Sequence, residues 1–366
     1  MRGGVTMYAQ RLLRGPRAGL RFLRAGLQTL RAGLRGWGGV GAMAAVCALA
    51  VAFALLLPLT QSHGDGSTGT GGQGVAEGIQ AKAEDCVNAQ DQSPKPSDFD
   101  GKTIEAIKAR TGDDRKLIVG VDQNSYRWGY RDPNGGTGAE LEGFDIDLVH
   151  RIAKDILGDE NAVQFKAIPT NQRIPAIKGG RVDMIVRTMT ISCARLKDVA
   201  FSAPYFLTGQ QVLAPKKSSI DGYDKTLAGK RICSAKGSTA LEKLAEDKAA
   251  KKVPAASADI GTTVPNQLDC LVQLQLGLVD AVVTDGALAA SQAAQDPTVE
   301  LKGATFTKEY YGVAVKQGAT DLAARVNRIL EQYIDDGSWQ KSYDKWLLPT
   351  LGSDSQSANP PKPKYK

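Results

Sequence analysis

The sequence predicts an α/β protein of two lobes set behind an N-terminal membrane-spanning helix. Three observations carry that prediction. From Leu117 onward, short β-prone runs alternate with amphipathic helical periods, which is the pattern of an α/β architecture. The chain has 366 residues, 42% of them hydrophobic and 23% charged, enough to bury a large core that divides in two. Finally, Val40 to Leu59 contains no charged residue.

The amino-terminal elements follow from charge. Residues 1–37 hold eight arginines and no acid, and without them the formal charge of +7 becomes −1. The basicity is local, so it points to membrane orientation and away from nucleic acid. Within it Arg17, Arg24 and Arg31 repeat in step with Leu20, Leu27 and Leu34, which on a helix gives a basic and an apolar face suited to an anionic leaflet, or the n-region of a signal sequence. Residues 38–59 read as a signal-anchor, because about twenty residues at about 1.5 Å each cross a hydrocarbon core of roughly 30 Å. A cleaved signal peptide is the competing reading, but the run exceeds an h-region of about 7–15 residues and no A-x-A site follows. The positive-inside rule leaves the amino terminus in the cytoplasm and exports the rest. Residues 60–112 read as an extracytoplasmic linker rich in Gly, Ser, Thr and Gln.

Beyond the linker, Leu117–Val121, Val163–Ile168 and Met184–Val186 read as strands, with helices at Phe144–Leu157 and from Ile174. Gln211–Ala214 crosses into a second unit with strands at Arg231–Ser234 and Ala281–Val283 and helices at Ser238–Lys248 and Gln267–Leu276. Thr305–Val315 crosses back, and a helix from Leu322 to Asp335 completes the first unit, with Trp339, Tyr343 and Trp346 packed behind it. The lobes are therefore 113–212 with 308–350, and 213–307, joined by two crossings that make a hinge. The Ser/Asn/Pro/Lys-rich tail, 351–366, reads as disordered.

The chemistry gathers in Val182–Tyr205, VDMIVRTMTISCARLKDVAFSAPY. A strand ends there in a polar loop, the place where ligands of open α/β sheets bind. Thr188 and Thr190 offer hydroxyls and N–H groups, and Arg195 offers a planar fork matched to a carboxylate. With Phe201-Ser202-Ala203-Pro204-Tyr205 behind it, this segment resembles the polar-amino-acid-binding proteins of ABC importers, which have the two-lobed periplasmic-binding-protein fold (type II, Venus-flytrap). The likeness runs from about Asp113 to Leu348, and the wording VRTMTISCAR is most similar to the actinobacterial glutamate-binding branch.

The resemblance implies roles by position. Arg195 falls on the arginine for the ligand's α-carboxylate, Thr190 on the hydroxyl before it, and Thr188 on a residue whose backbone oxygen meets the ammonium. Asp285 falls on the acid that pairs with that ammonium, Ser238 and Thr239 lie at a helix start suited to an anion, and Asp122 sits at another contact position. Two departures bear on the side chain: Thr170 stands where an aromatic often stacks, and Arg187 where a small residue is usual. Arg173, Arg187 and Lys236 beside the clamp imply a second negative charge on the ligand, so glutamate or aspartate is expected.

Cys86, Cys193, Cys233 and Cys270 lie in the exported part, where an even count suggests disulfides. Of three pairings, Cys233 with Cys270 in one lobe and Cys86 with Cys193 is the expectation. No C-x2-C spacing, P-loop or G-x-S-x-G occurs and the only histidines are His63 and His150, so no metal, cofactor or nucleophilic catalysis is expected. The expected function is capture of glutamate or aspartate for an ABC permease. A membrane sensor partner and a dehydratase-like enzyme on the same fold are the alternatives.

Overall fold

The computed structural model describes residues 86–366 apart from Val253. The expected cytoplasmic segment, the span at 38–59 and the linker up to residue 85 lie outside the described residues. No described helix is long and apolar enough to cross a membrane.

Two five-stranded sheets form, one per lobe. In the first, Leu117–Val121 lies between Val163–Ala167 and Met184–Ile185, parallel to both, and Ala314–Lys316 returns antiparallel beside Met184–Ile185 before Val199–Phe201 closes the edge. In the second, Arg231–Ala235 lies parallel to Asp259–Val264 and Ala281–Asp285, followed by Gln210–Pro215 and Val299–Lys302 in antiparallel pairing. Helices pack on both sheets because the parallel strands must be covered on both faces.

The crossings are the pair Phe206–Thr208 and Glu309–Tyr311, antiparallel with Phe206 opposite Tyr311. Gln211–Ala214, expected as the crossing, lies within the strand Gln210–Pro215, which already belongs to the second sheet. Gly209 is required between them, since a Cβ there would collide with the Thr307 carbonyl oxygen. Aromatic packing fixes the hinge to the first lobe. Trp128 is fully buried and meets Phe206 edge-on at 4.8 Å and Tyr311 at 5.8 Å, and Trp339 Nε1 donates to the Tyr205 carbonyl at 2.8 Å.

Two segments depart from the sequence reading. The linker expected to reach 112 ends earlier, for the helix Lys102–Lys108 buries Ile104 and Ile107 in the first-lobe core. Its N-cap is Gly101, which has no side chain to cap with, and Asp321 Oδ2 instead accepts from the Thr103 and Ile104 N–H groups at 2.7 and 3.2 Å. The tail, expected to be disordered, is packed: Ser357 and Ala358 are buried, Ser357 Oγ donates to the Leu207 carbonyl at 2.6 Å, and the Tyr365 hydroxyl donates to Glu331 at 3.1 Å. Its polar composition finds partners on the hinge strand and on the helix Thr320–Asp335, which composition alone does not reveal.

Both disulfides form in the expected pairing, Cys86 with Cys193 and Cys233 with Cys270.

Candidate functional site

The first-lobe wall of the cleft is the loop that leaves Met184–Ile185. Arg187, Thr188 and Thr190 are all buried there, and Thr188 has φ of 40°, a left-handed conformation that is costly for a β-branched residue. Asp145 holds it, taking the Thr188 N–H at 3.1 Å and the Tyr205 hydroxyl at 2.8 Å. Burial pushes the Asp145 carboxyl up to about 7, with those two hydrogen bonds acting against the rise.

Ser192 then caps the short helix Cys193–Leu196, its hydroxyl accepting the Arg195 N–H at 3.3 Å. That start fixes Arg195, whose Nη1 donates to the Thr190 carbonyl at 2.8 Å. Arg195 is buried, which lowers its pKa, while Glu242, Glu309 and Asp285 act in the opposite direction.

The second-lobe wall is built from strand ends. Asp285 closes Ala281–Asp285 and precedes the helix Gly286–Gln295, yet its carboxylate makes no side-chain cap. It accepts instead from Gln210 Nε2 and from the Tyr311 hydroxyl. Burial raises it to about 7, the Glu309 charge adds to the rise, and Tyr311, Arg195 and Arg173 oppose it. Ser238 caps the helix Thr239–Ala249 by accepting the Leu241 N–H at 3.2 Å, the ordinary N-cap role. Thr239 Oγ1 joins Gln210 at 3.0 Å and Glu309 at 3.0 Å, and lies 3.5 Å from Thr190 Oγ1 in the other lobe.

The lobes meet directly as well. The Gly237 carbonyl accepts from Arg195 at 3.1 Å and from Arg173 at 3.3 Å, and the Thr170 N–H donates to the Pro265 carbonyl at 3.0 Å. A cavity of about 390 Å³ adjoins this contact, lined by Asn171, Arg173, Arg195, Lys236 and Glu242 among others.

The three extra cations are not grouped as the sequence suggests. Arg187 forms a buried ion pair with Asp122 at 2.7 Å. Asp122 also accepts from the Gln123 and Asn124 N–H groups and the Ser125 hydroxyl, so it serves as a counter-ion and turn former. Arg173 is buried and, among the described residues, donates only to carbonyls, those of Thr170, Arg187, Thr188 and Gly237. Burial, then the neighbouring Arg195 and Arg187, lower its pKa well below the usual range. Lys236 is exposed at the rim. The Arg187 guanidinium donates to Thr170 Oγ1 at 3.0 Å.

Sequence reasoning missed Asp145, Tyr205, Gln210, Glu309 and Tyr311. Asp145 carried a signal, because it shares the helix face of Leu148, Val149 and Ile152, where a lone acid is out of place. Gln210 and Glu309 carried none, as their burial depends on the crossing strands meeting.

Residues 117–349 match the family model for bacterial extracellular solute-binding proteins, family 3. The chain belongs to that family. The ABC transporter glutamine-binding protein GlnH of Bacillus subtilis is 38% identical over 245 residues, 67% of this chain and 84% of the relative. The glutamate-binding protein GluB of Corynebacterium efficiens is 30% identical over 251 residues, covering 66% of this chain and 80% of its own. Among solved structures, an ancestral arginine-binding protein bound to glutamine superposes with a TM-score of 0.57 at 34% identity, over 63% of this chain and 97% of that one. The family is one of solute-binding proteins, and this chain, as a member of it, is a solute-binding protein.

Proposed function

We propose that this family member is the extracytoplasmic receptor of an ABC importer and captures an L-α-amino acid whose side chain ends in oxygen, glutamate or glutamine. One observation carries the reading. Arg195 and Asp285 come from opposite lobes, both are buried, and neither is neutralised by an ion pair with the other or with a third residue among those described. Buried unpaired charges of opposite sign are unfavourable unless a ligand completes both, and a zwitterion does so.

In this reading Arg195 binds the α-carboxylate with Thr190, Ser238 and Thr239 beside it, and Asp285 binds the ammonium with the Thr188 carbonyl. Arg173 supports glutamate, since its guanidinium has no carboxylate partner among the described residues. The Arg187–Asp122 pair supports glutamine, since that cation is already matched, and two relatives with 38% identity are glutamine-binding proteins. Aspartate fits as a shorter acid, and Lys236 is assigned a place at the mouth. Closure follows because the ligand touches both walls only when the lobes meet, so binding shifts the population toward the closed form.

We also place Val40–Leu59 in the membrane, with the arginine-rich terminus in the cytoplasm and the lobes outside. That tether favours one second reading, docking on a membrane sensor, because an anchored receptor need not diffuse between permeases. Crosslinking in cells separates a permease from a sensor. Calorimetry against glutamate, glutamine, aspartate and asparagine tests the ligand, and binding of only basic or apolar amino acids contradicts the assignment.

A further inference from the structure

We propose that Arg187 sets the side-chain preference of this receptor, reading the ligand's distal group as a hydrogen-bond acceptor and not as a negative charge. The inference rests on the amino-acid reading above. Arg187 and Asp122 are both buried and paired at 2.7 Å, so the cation is matched before any ligand arrives. Asp122 is itself fixed, with Gln123 N at 2.8 Å, Asn124 N at 3.0 Å and Ser125 Oγ at 2.9 Å on the same carboxylate. Its acceptor capacity is taken up by these four donors, which leaves it a holder of Arg187 and not a ligand contact.

The guanidinium is held on two further sides. Nη1 donates to Thr170 Oγ1 at 3.0 Å, and Nη2 reaches across to Asn266 Oδ1 of the second lobe at 3.2 Å. Arg187 Nε, by contrast, is buried with no partner among the described residues. A guanidinium has five N–H donors in a rigid fork, and one left unmatched in a buried site favours an incoming oxygen. An amide oxygen and a carboxylate oxygen both meet that need. A carboxylate gains little more, because Asp122 cancels the field of the cation and the acid must still be desolvated. Placement of Arg187 between a first-lobe acid and a second-lobe amide also lets the same side chain report closure, since the Asn266 bond exists only when the lobes meet.

The test is titration of the protein, wild type and variants, with L-glutamate and L-glutamine, reading the ratio of the two dissociation constants. For wild type the ratio should lie within about tenfold of unity, and for Asp122→Asn, which keeps the shape and frees the cation, it should move about tenfold or more toward glutamate. Arg187→Met should move it the other way, toward glutamine, because Asp122 then stands alone. If Asp122→Asn does not fold, shown by its thermal melt, Arg187→Met decides by the direction of its shift. A ratio left unmoved by the variants that fold overturns the proposal while the amino-acid reading stands. Wild-type protein that binds neither ligand overturns both.

Discussion

Arg195 Nη2 donates to the Gly237 carbonyl oxygen at 3.1 Å, a hydrogen bond that crosses from one lobe to the other. A peptide oxygen thus meets a guanidinium that a carboxylate would satisfy better, because a charged acceptor roughly doubles the strength of such a bond. Arg195→Ala should therefore remove most of the affinity. Loss of one partner of a buried charge pair costs about 2–5 kcal/mol, against about 8 kcal/mol for a micromolar ligand. Calorimetry checks this, and a variant that binds within about threefold of wild type speaks against the assigned role.

Binding should weaken in acid. Asp285 is raised to about 7 by burial and by Glu309, so in the ligand-free protein it takes up a proton as pH falls through 7, and the ammonium needs the carboxylate. Affinity should then drop by up to about tenfold per pH unit below 7, with a proton released on binding. The stability of the ligand-free fold responds with the opposite sign. Asp145 and Asp285 both have folded pKa values of about 7, above those of the unfolded chain, so their contribution is fully present below about pH 4 and is lost as pH rises through 7. Titrations in buffers of different ionisation heat measure the proton. A flat affinity between pH 5 and 8 contradicts the prediction.

The two disulfides should differ in their effect on stability. Cys86–Cys193 spans 107 residues and Cys233–Cys270 spans 37. The chain-entropy model gives the longer loop about 1 kcal/mol more stabilisation. Urea unfolding of Cys86→Ser/Cys193→Ser beside Cys233→Ser/Cys270→Ser compares them, and equal midpoints would show that loop entropy is not the controlling term.

Truncation after Gly352 should loosen the hinge. It removes the Ser357 bond to Leu207 and the Tyr365 bond to Glu331, each worth about 1 kcal/mol. Hydrogen exchange at Phe206–Thr208 should speed up, and unchanged protection there would mean that the tail lies on the hinge without holding it.

Much of the frame was legible because periodicity survives any context: Leu117–Val121 and Phe144–Leu157 appear with the bounds that the pattern indicates. Arg195 and Asp285 were marked by the family resemblance, and the structure buries both, one on each lobe. What stayed hidden depends on contacts distant in sequence. The helix Lys102–Lys108 has its cap on Asp321, 218 residues from Thr103, so no local signal marked it. Arg187 read as a free cation since nothing near it in sequence revealed Asp122, which arrives from another strand end. The tail misled because Ser, Asn, Pro and Lys describe a solvated segment until Leu207 and Glu331 supply partners.

The account turns on Arg195 holding an α-carboxylate, and a chemical cycle reaches that directly. Wild type and Arg195→Ala are each titrated with L-glutamine and with its α-amide, which lacks the α-carboxylate. Wild type should favour the acid by about thirtyfold or more, and Arg195→Ala should bind the two alike. Equal affinity of wild type for both ligands, or discrimination that survives the loss of Arg195, would contradict it.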